Sequence, residues 1–334
     1  MPVQNQEEQP CKWWLRETDA ETHFEEYQMN ANKHVVYDKH QEEWDQIVSD
    51  PDRNLKSQAW FRKDTLDYWR HARMYAPLNP IVLDDKDASW ITIGDGRYGT
   101  DANYLISTGA KKVHCTDISD TMLRIGNEKG FIDSYSAENA ESIRFPDNSF
   151  DYVYCKEAFH HFPRPYIALH EMFRVARRAV VLTEPRDQYV DRANFSVIFR
   201  ILRRLLRKSP EQHSFETVGN YVYATSEREI EKFLLGMHYN KVAFTGCNDA
   251  FIPGVQFVQM NSRSRADRWL RFMIKARIQL LNALTSLRVM NTGLVTAAIF
   301  KSDPSPAMLS AMQDQGWRVK DLPRNPFVET RTAP

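Results

Sequence analysis

The chain has 334 residues, with 44 Lys/Arg balanced by 44 Asp/Glu, so its formal charge is zero. Apolar residues make up 42% and charged residues 26%, a globular balance that excludes a disordered or collagen-like chain. Zero net charge also argues against a dedicated nucleic-acid binder, because phosphate neutralisation requires a basic excess.

The opening MPVQNQEEQP has neither the basic nor the apolar stretch of a signal peptide. No uncharged apolar run reaches the roughly 20 residues of a spanning helix. Cys11, Cys115, Cys155 and Cys247 stand far apart with no CxxC pair. That argues against zinc ribbons and disulfide frameworks, and for a reducing, cytoplasmic setting. Residues 1–52 hold 13 acidic residues and 4 basic ones, whereas 199–208 and 262–277 are strongly basic.

Residues 1–80 read as a helical extension. Trp44, Ile47 and Val48 fall on one helical face, and Phe61, Thr65, Tyr68, Trp69 and Ala72 form a second stripe after a Ser57 cap. Five of the eight tryptophans lie before residue 70, which is compatible with an aromatic lid over a ligand. Pro77 and Pro80 close this region. Strands are then predicted at 89–95, 112–118, 150–155 and 179–185, with helices at 100–107, after Ser119, and at 164–177. Alternating strands and helices predict an α/β, doubly wound, Rossmann-like parallel sheet. Ser226 and Glu229 form a capping box, and 241–246 and 294–300 are two late strands. The expected plan is a helical extension or lid over 1–80 and a catalytic domain over 81–301. Insertions fall at about 187–224 and 248–290, and an irregular, proline-bearing tail covers 302–334.

Gly94-Asp95-Gly96-Arg97-Tyr98-Gly99 follows a strand and precedes a helix. Glycines there let backbone approach a ligand closely. Asp117 ends the next strand, where a carboxylate accepts ribose hydroxyls. Those features alone fit NAD, FAD or S-adenosylmethionine. The stretch AENAESIRFPDNSFDYVYCKEAFHHF (137–162), followed by PRPYIALHEMFRVARRAVVLTEP, resembles class I S-adenosylmethionine-dependent methyltransferases of the small-molecule branch. The resemblance covers about 85–187 and implies a seven-stranded sheet with S-adenosylmethionine as cofactor. It places Gly94, Asp95 and Gly96 in the cofactor loop, and Asp117 with neighbouring Ile118 at the ribose. It also sets Asn139 and Ala140 at the adenine, and Cys155 and Lys156 beside the methionine part. Departures are Thr92 in place of the usual acid, Tyr98 in place of the third glycine, Asn139 in place of Asp, and Arg177-Arg178 in place of a Pro-Gly-Gly turn.

Methyl transfer from a sulfonium mainly requires the reacting atoms to be held in line, with a base for a hydroxyl acceptor. His160 and His161 follow the fourth strand, where open α/β sheets bind ligands, and His161 is the preferred base. Glu157, Asp187, Tyr221 and Tyr223 are the candidate acceptor contacts, and Glu184 a supporting residue. Aromatic and amide groups at 219–229 suit a sugar ring, and the basic runs suit an anionic acceptor or a membrane surface. The expected function is O-methylation of a small molecule or glycan intermediate, as a soluble or peripheral protein and a possible homodimer, with no metal. The competing readings are an NAD-dependent oxidoreductase and a methyltransferase-like subunit without turnover.

Overall fold

The computed structural model describes residues 35–327, apart from 189, 192–214 and 217. The order begins with helices α1 (Val35–Ser49), α2 (Pro51–Gln58), α3 (Leu66–Tyr75) and α4 (Asn79–Asp84). The first half of the α/β core follows: β1 (Ser89–Ile93), α5 (Thr100–Thr108), β2 (Lys112–Asp117), α6 (Thr121–Glu128), β3 (Tyr135–Ala137) and β4 (Phe150–Lys156). Next come α7 (Pro165–Val175), β5 (Ala176–Pro185), α8 (Glu227–Gly236), β6 (Lys241–Cys247) and α9 (Arg265–Ser286). The described chain closes with β7 (Leu294–Phe300), α10 (Pro306–Asp314) and β8 (Arg318–Asp321).

These strands form one sheet in the order β3-β2-β1-β4-β5-β7-β6-β8. From β3 to β5 every pairing is parallel, and β7 runs antiparallel between β5 and β6. Strand order reverses between β1 and β4, which opens a crevice at their carboxyl ends. Register sharpens this point, because Ile93 lies level with both Thr116 and Cys155. The residues that follow β1, β2 and β4 therefore emerge at one edge. Both faces are covered: Trp90, Tyr152 and Val181 pack on one side, and Ile91, Val153 and Leu182 on the other. That is why β4, β5 and β7 read as nearly unbroken apolar runs.

Three sequence expectations change. The sheet has eight strands, because 302–334 is not wholly irregular: α10 and β8 lie within it and β8 pairs with β6. Pro306 occupies the first turn of α10, and Ser305 accepts from Met308 N–H, so the proline marks a helix start. Met308, Met312 and Trp317 then join the core. In the extension, Ser57 lies inside α2 and Phe61 ends a short 3₁₀ turn, while Thr65 caps α3 by accepting from Tyr68 N–H. Pro80 opens α4 rather than ending the helical region. Ser119 stands one residue before the N-cap of α6, which is Asp120 and makes no side-chain cap bond, although Ser119 accepts from Thr121 N–H at 3.2 Å. No described helix is long and apolar enough to cross a membrane.

Candidate active site

A cavity of about 930 Å³ opens at the carboxyl edge of the sheet. It lies at the upper end of the range for ligand sites, which suits two ligands side by side. Its floor is the loop after β1. Gly94 has φ of +73°, and a Cβ there would meet that of Ala158 at 2.4 Å. A Cβ on Gly96 would stand 2.8 Å from the Asp117 carboxylate. Only glycine lets that carboxylate close over the loop backbone. Burial pushes Asp117 up to about 7, against the pull of backbone N–H groups of Ser119, Gly96 and Ile118. Ile118, Asn139 and Ala140 continue the wall. Asn139 Oδ1 accepts from Glu141 N–H at 2.9 Å, which leaves one acceptor site and the amide donors for a ligand.

Asp95 reaches the cavity wall, but its carboxylate faces the protein. It accepts from Asp101 N–H at 3.0 Å, Ala102 N–H at 2.8 Å and the Thr92 hydroxyl at 3.1 Å. It therefore caps α5, and Thr92, the departure before the loop, is its buried support. Burial and the neighbouring Asp101 raise Asp95 to about 8. Acids at this end of the cavity are Asp101 and Glu157, with Lys156 Nζ 4.0 Å and 3.3 Å from them. Glu157 holds φ of +49°, an uncommon backbone state for a non-glycine residue. Its N–H donates to Thr183 O at 2.8 Å and its carboxylate meets Lys156, so both ends are tethered.

The extension forms the opposite wall. Trp44 and Trp60 line the cavity and sandwich the Arg97 guanidinium, 5.8 and 4.5 Å from their ring centres. Tyr98, the departure at the third glycine, has φ of +59°. Its fully buried ring packs with Ile47 of α1 and Met122, and its hydroxyl donates to Asn54 Oδ1 at 2.6 Å. The bulky residue thus bolts the cofactor loop to the extension. Ser119 and Thr121 hydroxyls donate to Asp45 on α1, 2.5 and 2.6 Å away. Arg70 on α3 pairs with Asp67 and, across the cavity mouth, with Asp249.

His160 and His161 sit on a short 3₁₀ turn after β4, with ring centres 3.9 Å apart. His160 Nδ1 lies 2.6 Å from Glu184 Oε2. Glu184 is fully buried at the end of β5 and also accepts from Ala158 and Phe159 N–H, both at 3.1 Å. A carboxylate only accepts, so His160 Nδ1 carries the proton and Nε2 keeps its lone pair. Burial opposes charging of this imidazole, but Glu184 outweighs it, and its pKa rises above the usual histidine value. His161 makes a second pair, 2.8 Å from Glu216 Oε2. The His161 hydrogen bond pulls Glu216 down to about 2. His40 on α1 stands 6.3 Å from the His161 ring, with burial holding its pKa low. Among the described residues no group of His, Cys, Asp and Glu is arranged to hold a metal.

The structure gathers Gly94, Asp95, Gly96, Asp117, Ile118, Asn139, Ala140, Glu157, His160 and His161 around one cavity. Four expected residues lie elsewhere. Cys155 is fully buried with its thiol toward Glu184, and the cavity wall starts one residue later at Lys156. Tyr221 and Tyr223 pack on each other, 37% and 36% exposed, just behind the cavity wall: Tyr221 packs on Phe215 and Tyr223 N–H donates to His160 O at 3.0 Å. Asp187 accepts from Val190 N–H in the loop after β5. Sequence reasoning missed Arg97 and Glu216 as wall residues. The crowding of tryptophans before residue 70 did signal Trp44 and Trp60. Trp13 and Trp14 lie outside the described residues, as does the whole of the first basic run.

Residues 91–182 match the family profile described as a methyltransferase domain. From β1 to β5 the chain is thus similar to a class I S-adenosylmethionine-dependent methyltransferase domain. A ubiquinone/menaquinone biosynthesis C-methyltransferase from Burkholderia multivorans is 31% identical over 128 residues, 31% of this chain and 53% of that protein. Its counterpart from Cronobacter sakazakii is 29% identical over 137 residues, 33% of this chain and 55% of that protein. The chain thus spans about half the length of these relatives. The YcgJ protein of Bacillus subtilis aligns over 69% of this chain and all of its own, at 17% identity and a TM-score of 0.41. The cavity fits the family's cofactor on its own geometry, since the absence of a Cβ on Gly96 lets the loop backbone approach the Asp117 carboxylate at the cavity wall.

Proposed function

We propose that the protein transfers a methyl group from S-adenosylmethionine to a hydroxyl-bearing small molecule. One observation carries this reading: His160, backed by the buried Glu184, lies on the wall of the same cavity as Gly96 and Asp117. Bound there, S-adenosylmethionine supplies a methyl carbon already activated by its sulfonium. Asp117 would accept the ribose hydroxyls, and Asn139 and the Ala140 N–H would meet the adenine edge. Trp44 and Trp60 cover the loop and keep water out. His160 Nε2 takes the acceptor hydroxyl proton, and Glu184 stabilises the imidazolium that results. His160 is favoured over His161 because its partner is fully buried, which fixes ring and tautomer.

Removing that proton serves O-methylation directly. It also serves C-methylation of a phenol, whose ring carbon shares the phenolate charge. The C-methyltransferase relatives favour this second reading. A sugar acceptor draws less support, because Tyr221 and Tyr223 stand behind the cavity wall and do not line it themselves. The test is transfer of labelled methyl to a panel of phenols and alcohols, with the product position read by NMR. His160→Ala is expected to lose about 10²–10⁴-fold in turnover while keeping cofactor affinity. Unchanged turnover across the pH range would remove His160 as the base.

A further inference from the structure

α9 carries an apolar stripe that faces away from the protein. Of its 22 residues only Ile274 and Ile278 are buried, against Leu66, Val255 and Val258. On the other side Trp269, Phe272, Met273 and Leu280 are exposed, followed by Leu287 just past the helix end. Trp269 and Phe272 are 62% and 59% exposed and stack on each other, ring centres 5.6 Å apart. The spacing returns to one helical face, so the stripe is continuous for about 27 Å from Trp269 to Leu287. Soluble monomers rarely expose such a patch unless something covers it.

Charge identifies the cover. Arg265, Arg268, Lys275 and Arg277 are exposed along the helix, and Arg263 stands just before it. The single acid of α9, Asp267, accepts from the Ser262 hydroxyl at 2.5 Å. The chain as a whole is neutral, so this is a local concentration of cations around an apolar stripe. An indole at the border of such a stripe suits the headgroup level of a bilayer.

We propose that α9 docks the protein on an anionic lipid surface, lying in the interface without crossing it. The loop that packs Val255 and Val258 beneath α9 also places Phe251 and Gln256 on the cavity wall. Docking therefore places the lipid plane across α9 and one loop from the cavity, and the acceptor class becomes a hydroxylated ring or alcohol with an apolar tail. This last step rests on the cavity being an acceptor site; the docking itself does not.

The experiment is co-sedimentation of the full chain with vesicles of phosphatidylcholine alone or mixed with phosphatidylglycerol, without cofactor. Binding is expected on the anionic vesicles, weakened by salt. The double variant Trp269→Glu/Phe272→Glu is expected to bind at least about tenfold more weakly, with unchanged circular dichroism and cofactor affinity. Equal binding by that variant, or none by the parent chain, overturns the proposal. So does a dimer in sedimentation equilibrium that the double variant dissolves, which would assign the stripe to a second copy. Turnover in lipid-free buffer scores the methyltransferase reading separately.

Discussion

The two halves of the sheet build their sides of the cavity in different ways. The β3-β2-β1-β4 half uses short strand–turn–helix units, each delivering its ligand-facing group within a few residues of a strand end. Gly94, Gly96, Asp117 and Asn139 all arrive so. The β5-β7-β6-β8 half assembles its side from distant segments: Glu184 beneath His160, Glu216 beside His161, and Asp249 paired with Arg70 of the extension. The first half is thus built from local turns and then tied to the extension through Tyr98–Asn54 and Ser119–Asp45. The second half contributes its groups only through long-range pairs.

The strongest way to break this contrast is Glu184→Ala. It strands two buried N–H donors and the His160 proton, and a loss of about 3–5 kcal/mol in urea unfolding is expected. Stability equal to the parent would show that the second half does not hang on this acid. Glu184→Gln keeps the shape but removes the charge that raises His160, so the acidic limb of the pH–rate profile, where a general base loses its proton, should move to lower pH.

Next in size is Gly96→Ala. The new Cβ displaces the Asp117 carboxylate, and calorimetric titration should show cofactor binding weaker by about 1.5–3 kcal/mol. Asp117→Ala should lose a similar amount. Folding should survive in both, because the damage is local; global unfolding would blur the contrast.

A smaller effect sharpens the cofactor side through pH. Asp117 sits near 7 because of burial, so acid returns its proton and removes the charge that would bind ribose hydroxyls. Affinity should therefore fall as pH drops through about 7, roughly tenfold between pH 8 and pH 6, or one pKa unit's worth of free energy. In Asp117→Asn that slope should vanish. An unchanged slope would assign it to another group, Asp95 first. The smallest effect belongs to Tyr221→Ala with Tyr223→Ala, expected within about 0.5 kcal/mol in stability and without change in turnover. A clear loss of turnover would return that surface to the acceptor site.

Legibility followed the same division. The glycine loop, Asp117 and the pattern from 137 to 162 were readable because each couples a local backbone need to a residue type. Gly96 must lack a Cβ, and a buried parallel strand must be apolar throughout. The prolines after Lys301 misled, because Pro306 at a helix start and a proline in a loop look alike without the Ser305 cap geometry. Tyr221 and Tyr223 were legible as an aromatic pair, but composition cannot tell that they stand behind Phe215 and His160 rather than on the wall itself. Tyr98 and Thr92 looked like damage to the loop. Tertiary structure shows that each gained a partner, Asn54 and Asp95 respectively.

By itself, then, the sequence determined the α/β core, the likeness to a methyltransferase domain and the glycine and acid positions at one sheet edge, because these depend on periodicity and on residues spaced along neighbouring strands. Only the tertiary structure decided which histidine has a buried carboxylate behind it, how Trp44 and Trp60 close over Arg97, and that α9 turns its apolar face outward. Each of these depends on segments far apart in the chain meeting in space, or failing to, and side-chain periodicity records a face without saying what, if anything, lies against it.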